Sequence, residues 1–385
     1  MEVDEDDLLD FHRTAGELLF YDLDEPERAR PHLEWLREND PDGAGSEPTV
    51  MTTLEAIYEE SGDVDRRIEL LETRLDDADS DEMKATYRLL LAQLIWDERS
   101  DAARAKEYLD AILADDPGHE AANRMLAEFA EEREDWQEAV RRLQWVLKVA
   151  GDGLDSVEIE RKIANLLRQK LDKPRQALTH FENILEDAPG DAKALEGIKE
   201  CQAAIDDWDG YLESLSRELG LLVGRPGDLD LRRPETLDVD SMSSAVRVPA
   251  SQIVADAAHI AENVVDELDL AHELWGESVE LWPEHVDALE RRIELDRKLD
   301  KDRDLAHDLE AYAESLLDTG QRFDVLLEAA NIYRDRLDAP DEARPLLTEA
   351  VALAQDADEP PDKLAEARRA LRSLGDDEQS EPSVN

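Results

Sequence analysis

The sequence predicts an all-α fold: a right-handed α-solenoid of about nine antiparallel helix pairs with a C-terminal capping helix. Three observations lead there. Asp63, Asp135 and Asp207 open similar stretches at a constant interval of 72 residues. Ala105 and Ala177, then Ala271 and Ala343, repeat the same interval. Apolar residues recur with helical period, as in Leu89, Leu90, Leu94 and Trp96 or Ile159, Ile163, Leu166 and Leu167, and no stretch alternates long enough for a strand. A fixed period of this size is the mark of stacked units that bury their apolar faces on one another.

The pairs fall, in order, at 5–39, 48–78, 81–115, 119–150, 155–188, 191–222, 250–282, 284–318 and 321–356. A last helix at 361–374 covers the apolar face that an end repeat would otherwise expose. Two inner turns alternate. One carries proline, as in Asp24-Glu25-Pro26, Asp172-Lys173-Pro174 and Asp338-Ala339-Pro340. Proline suits the first turn of a helix, where its missing N–H has no partner, and the preceding Asp is expected to cap it. The other is short and begins Asp135-Trp136 or Asp207-Trp208. Alternation makes the true unit two pairs, which is why the interval is 72 residues.

In four pairs the second helix has a small residue, a large apolar residue four positions on, and proline at twelve: Ala29, Leu33, Pro41; Ala105, Leu109, Pro117; Ala177, Phe181, Pro189; and Ala271, Trp275, Pro283. Alanine permits close approach within a pair, the large residue fills the space between pairs, and proline stops the helix. On these residues the chain resembles the tetratricopeptide repeat family over about 5–374. In the pair at 119–150, Leu126 and Ala127 stand where that family has Leu-Gly, Ala139 at its alanine and Leu143 at its aromatic position. The family's first-helix Trp and Tyr are mostly absent, and Tyr211 replaces alanine in one pair, so the repeats are degenerate.

The interval fails once. From Ala177 to Ala271 it is 94, and the surplus of 22 lies in 223–249. Glycine, proline and serine make this an inserted loop, expected to be flexible, carrying Arg225, Arg232, Arg233 and Arg247. Either its arginines pin it to acidic neighbours, or it folds over the groove or docks a partner. The domain layout is therefore repeats 1–6 at 1–222, the insert at 223–249, repeats 7–9 with the cap at 250–374, and a disordered tail at 375–385.

Composition narrows function. The formal net charge is −55, which repels phosphate backbones and anionic membrane surfaces. It fits a basic partner, a nucleic-acid mimic, or a solvated face that keeps the chain soluble. Arg outnumbers Lys 33 to 11 amid abundant Asp, a balance suited to a high-salt source. Cys201 is the sole cysteine and sits on an apolar helical stripe, which excludes an intramolecular disulfide. An acidic N-terminus unlike a signal peptide and the lack of an apolar span point to a cytoplasmic protein.

No chemistry-bearing motif emerges. Eight histidines are scattered without a His-Glu-x-x-His pair, there is no nucleophile elbow or phosphate loop, and Asp207-x-Asp209-Gly210 lacks the outer ligands of a calcium loop. The expectation is no enzyme, no cofactor and no metal. The family resemblance implies that first helices line a concave groove binding extended peptides, with asparagines holding the peptide backbone and basic residues its carboxylates. Candidates on first helices are Arg88, Asn123, Arg124, Arg161, Lys162, Asn165, Arg168, Lys199, Arg292 and Asn331. The function read from sequence is a non-catalytic protein–protein interaction scaffold or adaptor. The alternative is an acidic regulatory subunit or inhibitor that occupies a basic, nucleic-acid-binding surface. The partner is a protein or peptide, not nucleic acid, with no membrane insertion.

Overall fold

The computed structural model describes residues 5–150, 154–234, 237–356 and 361–376. Within them every regular element is helical, and no strand occurs among the described residues. The pairs are α1 Glu5–Glu17 with α2 Pro26–Asn39, α3 Pro48–Ser61 with α4 Val64–Asp76, α5 Asp81–Arg99 with α6 Ala102–Asp115, and α7 Glu120–Glu132 with α8 Trp136–Ala150. Next in the chain are α9 Leu154–Gln169 and α10 Pro174–Asp187, one in each of the molecule's two compact units, followed by the pairs α11 Ala192–Ala204 with α12 Trp208–Leu222 and α13 Ser244–Ile260 with α14 Leu268–Leu281. The last are α15 Val286–Lys298 with α16 Asp302–Ser315, α17 Thr319–Asp335 with α18 Pro340–Asp356, and the capping helix α19 Pro361–Asp376. The chain forms two compact units, Met1–Asp172 and Lys173–Asn385. The division falls in the turn between α9 and α10. In each unit consecutive helices pack on one another, α1 to α9 in the first and α10 to α19 in the second.

The repeat signature does the packing expected of it. Ala29, Ala105, Ala177 and Ala271 are wholly buried, and Leu33, Leu109, Phe181 and Trp275 are buried beside them. Glycine provides room for two of these anchors. A Cβ on Gly197 would come within 2.4 Å of the Phe181 ring, and one on Gly16 within 2.4 Å of Leu33.

Each inner turn contains one residue in the left-handed region: Asp24, Gly62, Ser100, Glu134, Asp172, Asp206, Asp266, Asp300 and Asp338. These residues close the first helix of each pair. The short turns make a Schellman bond, in which Asp63, Asp135, Asp207 and Lys301 donate to the carbonyls of Tyr58, Ala130, Gln202 and Asp296. In the long turns Glu25, Asp101, Glu267 and Ala339 reach one residue further back, to Leu19, Ile95, Ala261 and Tyr333. Short and long alternate through these turns, which is the physical origin of the two-pair unit. Before two long turns the helix widens to π geometry, at Leu18–Asp22 and Ala261–Val265.

One local expectation is corrected. Asp24, Asp172 and Asp338 do not cap the following helix. They take the positive-φ position, which Asp tolerates through local side-chain bonding. The N-cap falls one residue later, on Glu25 and Lys173, without a side-chain cap bond. Side-chain caps occur where the left-handed residue is followed directly by Asp: Asp63, Asp101, Asp135 and Asp207 accept from the third residue on.

The insert is shorter than the sequence suggested, because α13 begins at Ser244. Arg247 and Pro249 therefore lie in that helix, Pro249 in its second turn, where it removes one bond of the helical ladder. Gly220 allows a tight return: a Cβ there would meet the Arg225 carbonyl oxygen at 2.7 Å. Leu231 and Leu237 are buried in the same core as Leu219, Val254 and Leu274. The Leu231 N–H donates to Ser216 Oγ and the Leu237 N–H to Glu277 Oε1, both at 2.9 Å. Apolar side chains and backbone donors anchor the insert, while Arg232 bonds locally to Asp230 at 3.0 Å. Arg225 and Arg233 are exposed. Residues 377–385, expected as a disordered tail, lie outside the described residues, and α19 continues to Asp376.

Candidate functional site: two clefts between helix pairs

Open space between consecutive pairs forms several clefts, and two of them, one in each unit, lie near the inner turns. In the first unit a cleft of about 540 Å3 opens between α5–α6 and α7–α8. Its floor includes Trp96, Leu126 and Phe129, with the Trp96 and Phe129 rings stacked at 3.9 Å between centroids and 13° between planes. Lys106, Arg133, Arg141 and Arg142 stand around it against Asp135 and Glu138. Much of this charge is internally paired: Glu138 accepts from Arg141 at 2.7 Å and Arg142 at 2.6 Å, and Lys106 meets Asp110 at 2.5 Å.

In the second unit a cleft of about 680 Å3 lies among α15, α16 and α17. Its floor is aliphatic, made by Leu305, Leu327 and Ile332. Six acids line it, Asp296, Asp300, Asp302, Asp324, Glu328 and Asp335, against Arg297 and Arg336. Arg297 reaches Glu328 at 2.9 Å, Arg336 reaches Asp302 at 2.6 Å and Arg334 holds Asp335 at 2.6 and 2.7 Å, so six acids stand against three arginines.

Behind its wall runs a buried polar network. His272 Nε2 lies 2.6 Å from Asp296 Oδ1, and Lys301 Nζ lies 3.1 Å from His272 Nδ1. Arg292 Nε is 3.2 Å from Asp308 Oδ2. Burial pushes the Asp308 carboxyl up to about 7 against the pull of Arg292, and neighbouring Asp296 pushes the same way. Nearby, Ser251 and Ser278 hydroxyls bond to each other at 2.9 Å and to His285 Nδ1 at 3.0 and 3.1 Å.

The structure brings few of the sequence candidates together. Arg124 and Lys162 share a cleft of about 410 Å3 with Leu143 and Ile159. Asn331 stands at the acidic cleft. Asn123 is a correction: it is wholly buried, and its amide donates to the Pro117 and His119 carbonyls at 3.1 Å. It braces the turn before α7 and is not available to a peptide backbone. Arg88 staples α5 to α6 through Asp115 at 3.2 Å. Lys199 is held between Glu196 and Glu218 at 3.1 and 2.9 Å; burial lowers its pKa, but the two carboxylates outweigh it and raise the net value. Arg292 lies against Gly276 and serves the buried network. Asn165 accepts from Arg168 at 3.5 Å on α9, which also carries Arg161. The acidic cleft and the network behind it had no sequence signal beyond helix position.

Residues 98–155 match the sequence profile of the tetratricopeptide repeat family. Repeats of this kind generally mediate protein–protein interaction. No curated protein matches the chain. Among solved structures, it is similar to the C-terminal part of a tetratricopeptide-repeat protein from Cytophaga hutchinsonii, with 11% identity, 72% of this chain and 98% of that one covered, and a TM-score of 0.38. A tetratricopeptide repeat protein from Parabacteroides merdae shows 12% identity, coverages of 75% and 98%, and a TM-score of 0.34. YrrB, described as a tetratricopeptide protein with an unusual peptide-binding site, shows 20% identity, coverages of 54% and 91%, and a TM-score of 0.29. With TM-scores this low, nothing of their binding passes to this chain. No described helix is long and apolar enough to cross a membrane.

Proposed function

We propose that this chain, which carries degenerate tetratricopeptide-type repeats, is a non-catalytic interaction scaffold that binds a basic segment of a protein partner. The observation that carries the reading is the α15–α17 cleft, where six acids and two arginines surround an aliphatic floor. A Lys/Arg-rich segment with one apolar side chain matches it: the anchor sits over Leu305 and Leu327 while its cations compete with Arg297 and Arg334 for the exposed carboxylates of Glu328 and Asp335. The chain's net charge of −55 steers such a partner and repels nucleic acid. The reading places the protein in the cytoplasm and assigns no catalytic group.

The test is fluorescence anisotropy with a labelled decapeptide of Lys, Arg and one Leu. Binding is expected to weaken steeply with salt, and Glu328→Lys with Asp335→Lys to weaken it at least about tenfold. Both positions are exposed, so folding is retained. Equal binding by the reversed variant would remove the cleft from the proposal.

A further inference from the structure

We infer that His272, Asp296 and Asp304 form a divalent transition-metal site, of the kind that takes Zn2+, at the edge of the acidic cleft. One ligand atom from each lies within 4.8 Å of the others. An imidazole nitrogen with two carboxylates is a donor set suited to zinc, and three protein ligands leave a fourth position open. His272 comes from α14, Asp296 from α15 and Asp304 from α16, so three successive helices fix the ligands.

The second observation is an unsatisfied buried group. Asp296 is 0% exposed, and its Oδ2 has no hydrogen-bond partner. A buried carboxylate oxygen left unpaired is costly, and an absent ion is one of the few explanations for it. The neighbouring Asp308 carboxyl is countered by Arg292 at 3.2 Å. The site is open to solvent on the Asp304 side, where that side chain is 44% exposed.

Lys301 defines the competing state. Its ammonium now donates to His272 Nδ1, which leaves Nε2 as the donor to Asp296. Coordination through Nε2 moves the imidazole proton to Nδ1 and releases the ammonium. Asp269 Oδ1, already 3.8 Å from Lys301 Nζ, is positioned to receive it. Lysine and metal thus compete for the same histidine. This site is independent of the partner reading, since it needs no peptide.

The test is calorimetric titration of Zn2+ into the full chain after chelator treatment, with excess Mg2+ present to occupy surface carboxylates. One saturable site per chain is expected, with a rise in melting temperature. Asp304→Asn, at a part-exposed position, should weaken binding at least about tenfold, and Lys301→Met should strengthen it roughly threefold or more. His272→Gln should abolish it. No saturable site in the wild type, or the same affinity in the Asp304 and Lys301 variants, overturns the proposal; neither variant removes a core side chain, so both remain readable if His272→Gln fails to fold.

Discussion

The cleft on α5–α8 and the cleft on α15–α17 both lie between consecutive pairs, one beside a long inner turn and one beside a short one, and carry different chemistry. Ser100 and Asp300 are the left-handed residues that close their helices, and Trp96 and Asp296 each stand four residues earlier. In one unit that position holds a ring stacked on Phe129; in the other, a buried carboxylate bonded to His272. His119 and His285 both follow an outer-turn proline by two residues. His119 Nδ1 caps α7 by accepting from the Ala122 N–H at 3.3 Å, whereas His285 turns to Ser251 and Ser278. The backbone frame is thus indifferent to what fills the space between pairs. Turn geometry and the alanine–large–proline spacing hold the frame, and the remaining inward positions are free to diversify.

The comparison can be broken most strongly at its apolar end. Trp96→Ala removes a half-buried stacked ring, and urea denaturation should report a loss of about 3 kcal/mol. A loss below about 1 kcal/mol would mean that the stack does not support the first cleft. Next come the anchors of the insert. Leu231→Ala should cost about 2–3 kcal/mol, and protease nicking within 224–234 should accelerate if that leucine ties the segment to the core.

Helix starts give a smaller contrast. Asp101 caps α6, whereas Lys301, at the equivalent place before α16, makes no cap bond. Asp101→Ala should cost about 1 kcal/mol. An unchanged melting temperature would show the cap to be dispensable.

The histidines differ in their dependence on acid. Burial lowers the His285 pKa from its usual 6.5, against the weaker pull of Asp287 and Asp256. A depressed pKa means that the folded state holds the proton less tightly than the unfolded chain. The stability it contributes is present above pH 6.5 and is lost as pH falls through the folded value. The melting temperature should therefore fall between pH 7.5 and 5, and His285→Gln should flatten that fall.

Much of the fold was legible because its determinants are local. Ala105, Leu109 and Pro117 lie within one helix and its end, so spacing alone exposes them. Helix boundaries in most pairs fell within a few residues of expectation for the same reason. The insert's end was misjudged because Pro249 reads as a helix stop, whereas the helix starts at Ser244 and runs through it. The site was barely legible. His272, Asp296 and Asp304 come from three helices, and only stacking brings them together. Asn123 illustrates the converse: its place on a first helix suggested a peptide clamp, but its side chain points into the turn beneath it.

The central claim is that an acidic cleft on a repeat frame selects a basic segment. Its most direct measurement is the anisotropy titration of the Lys/Arg/Leu decapeptide beside an Asp/Glu/Leu decapeptide, on wild type and on the Glu328→Lys, Asp335→Lys variant. The account predicts that wild type prefers the basic peptide by at least about tenfold, and that the variant loses most of that preference. Equal affinity for both peptides, or a preference that survives the reversal, would contradict it.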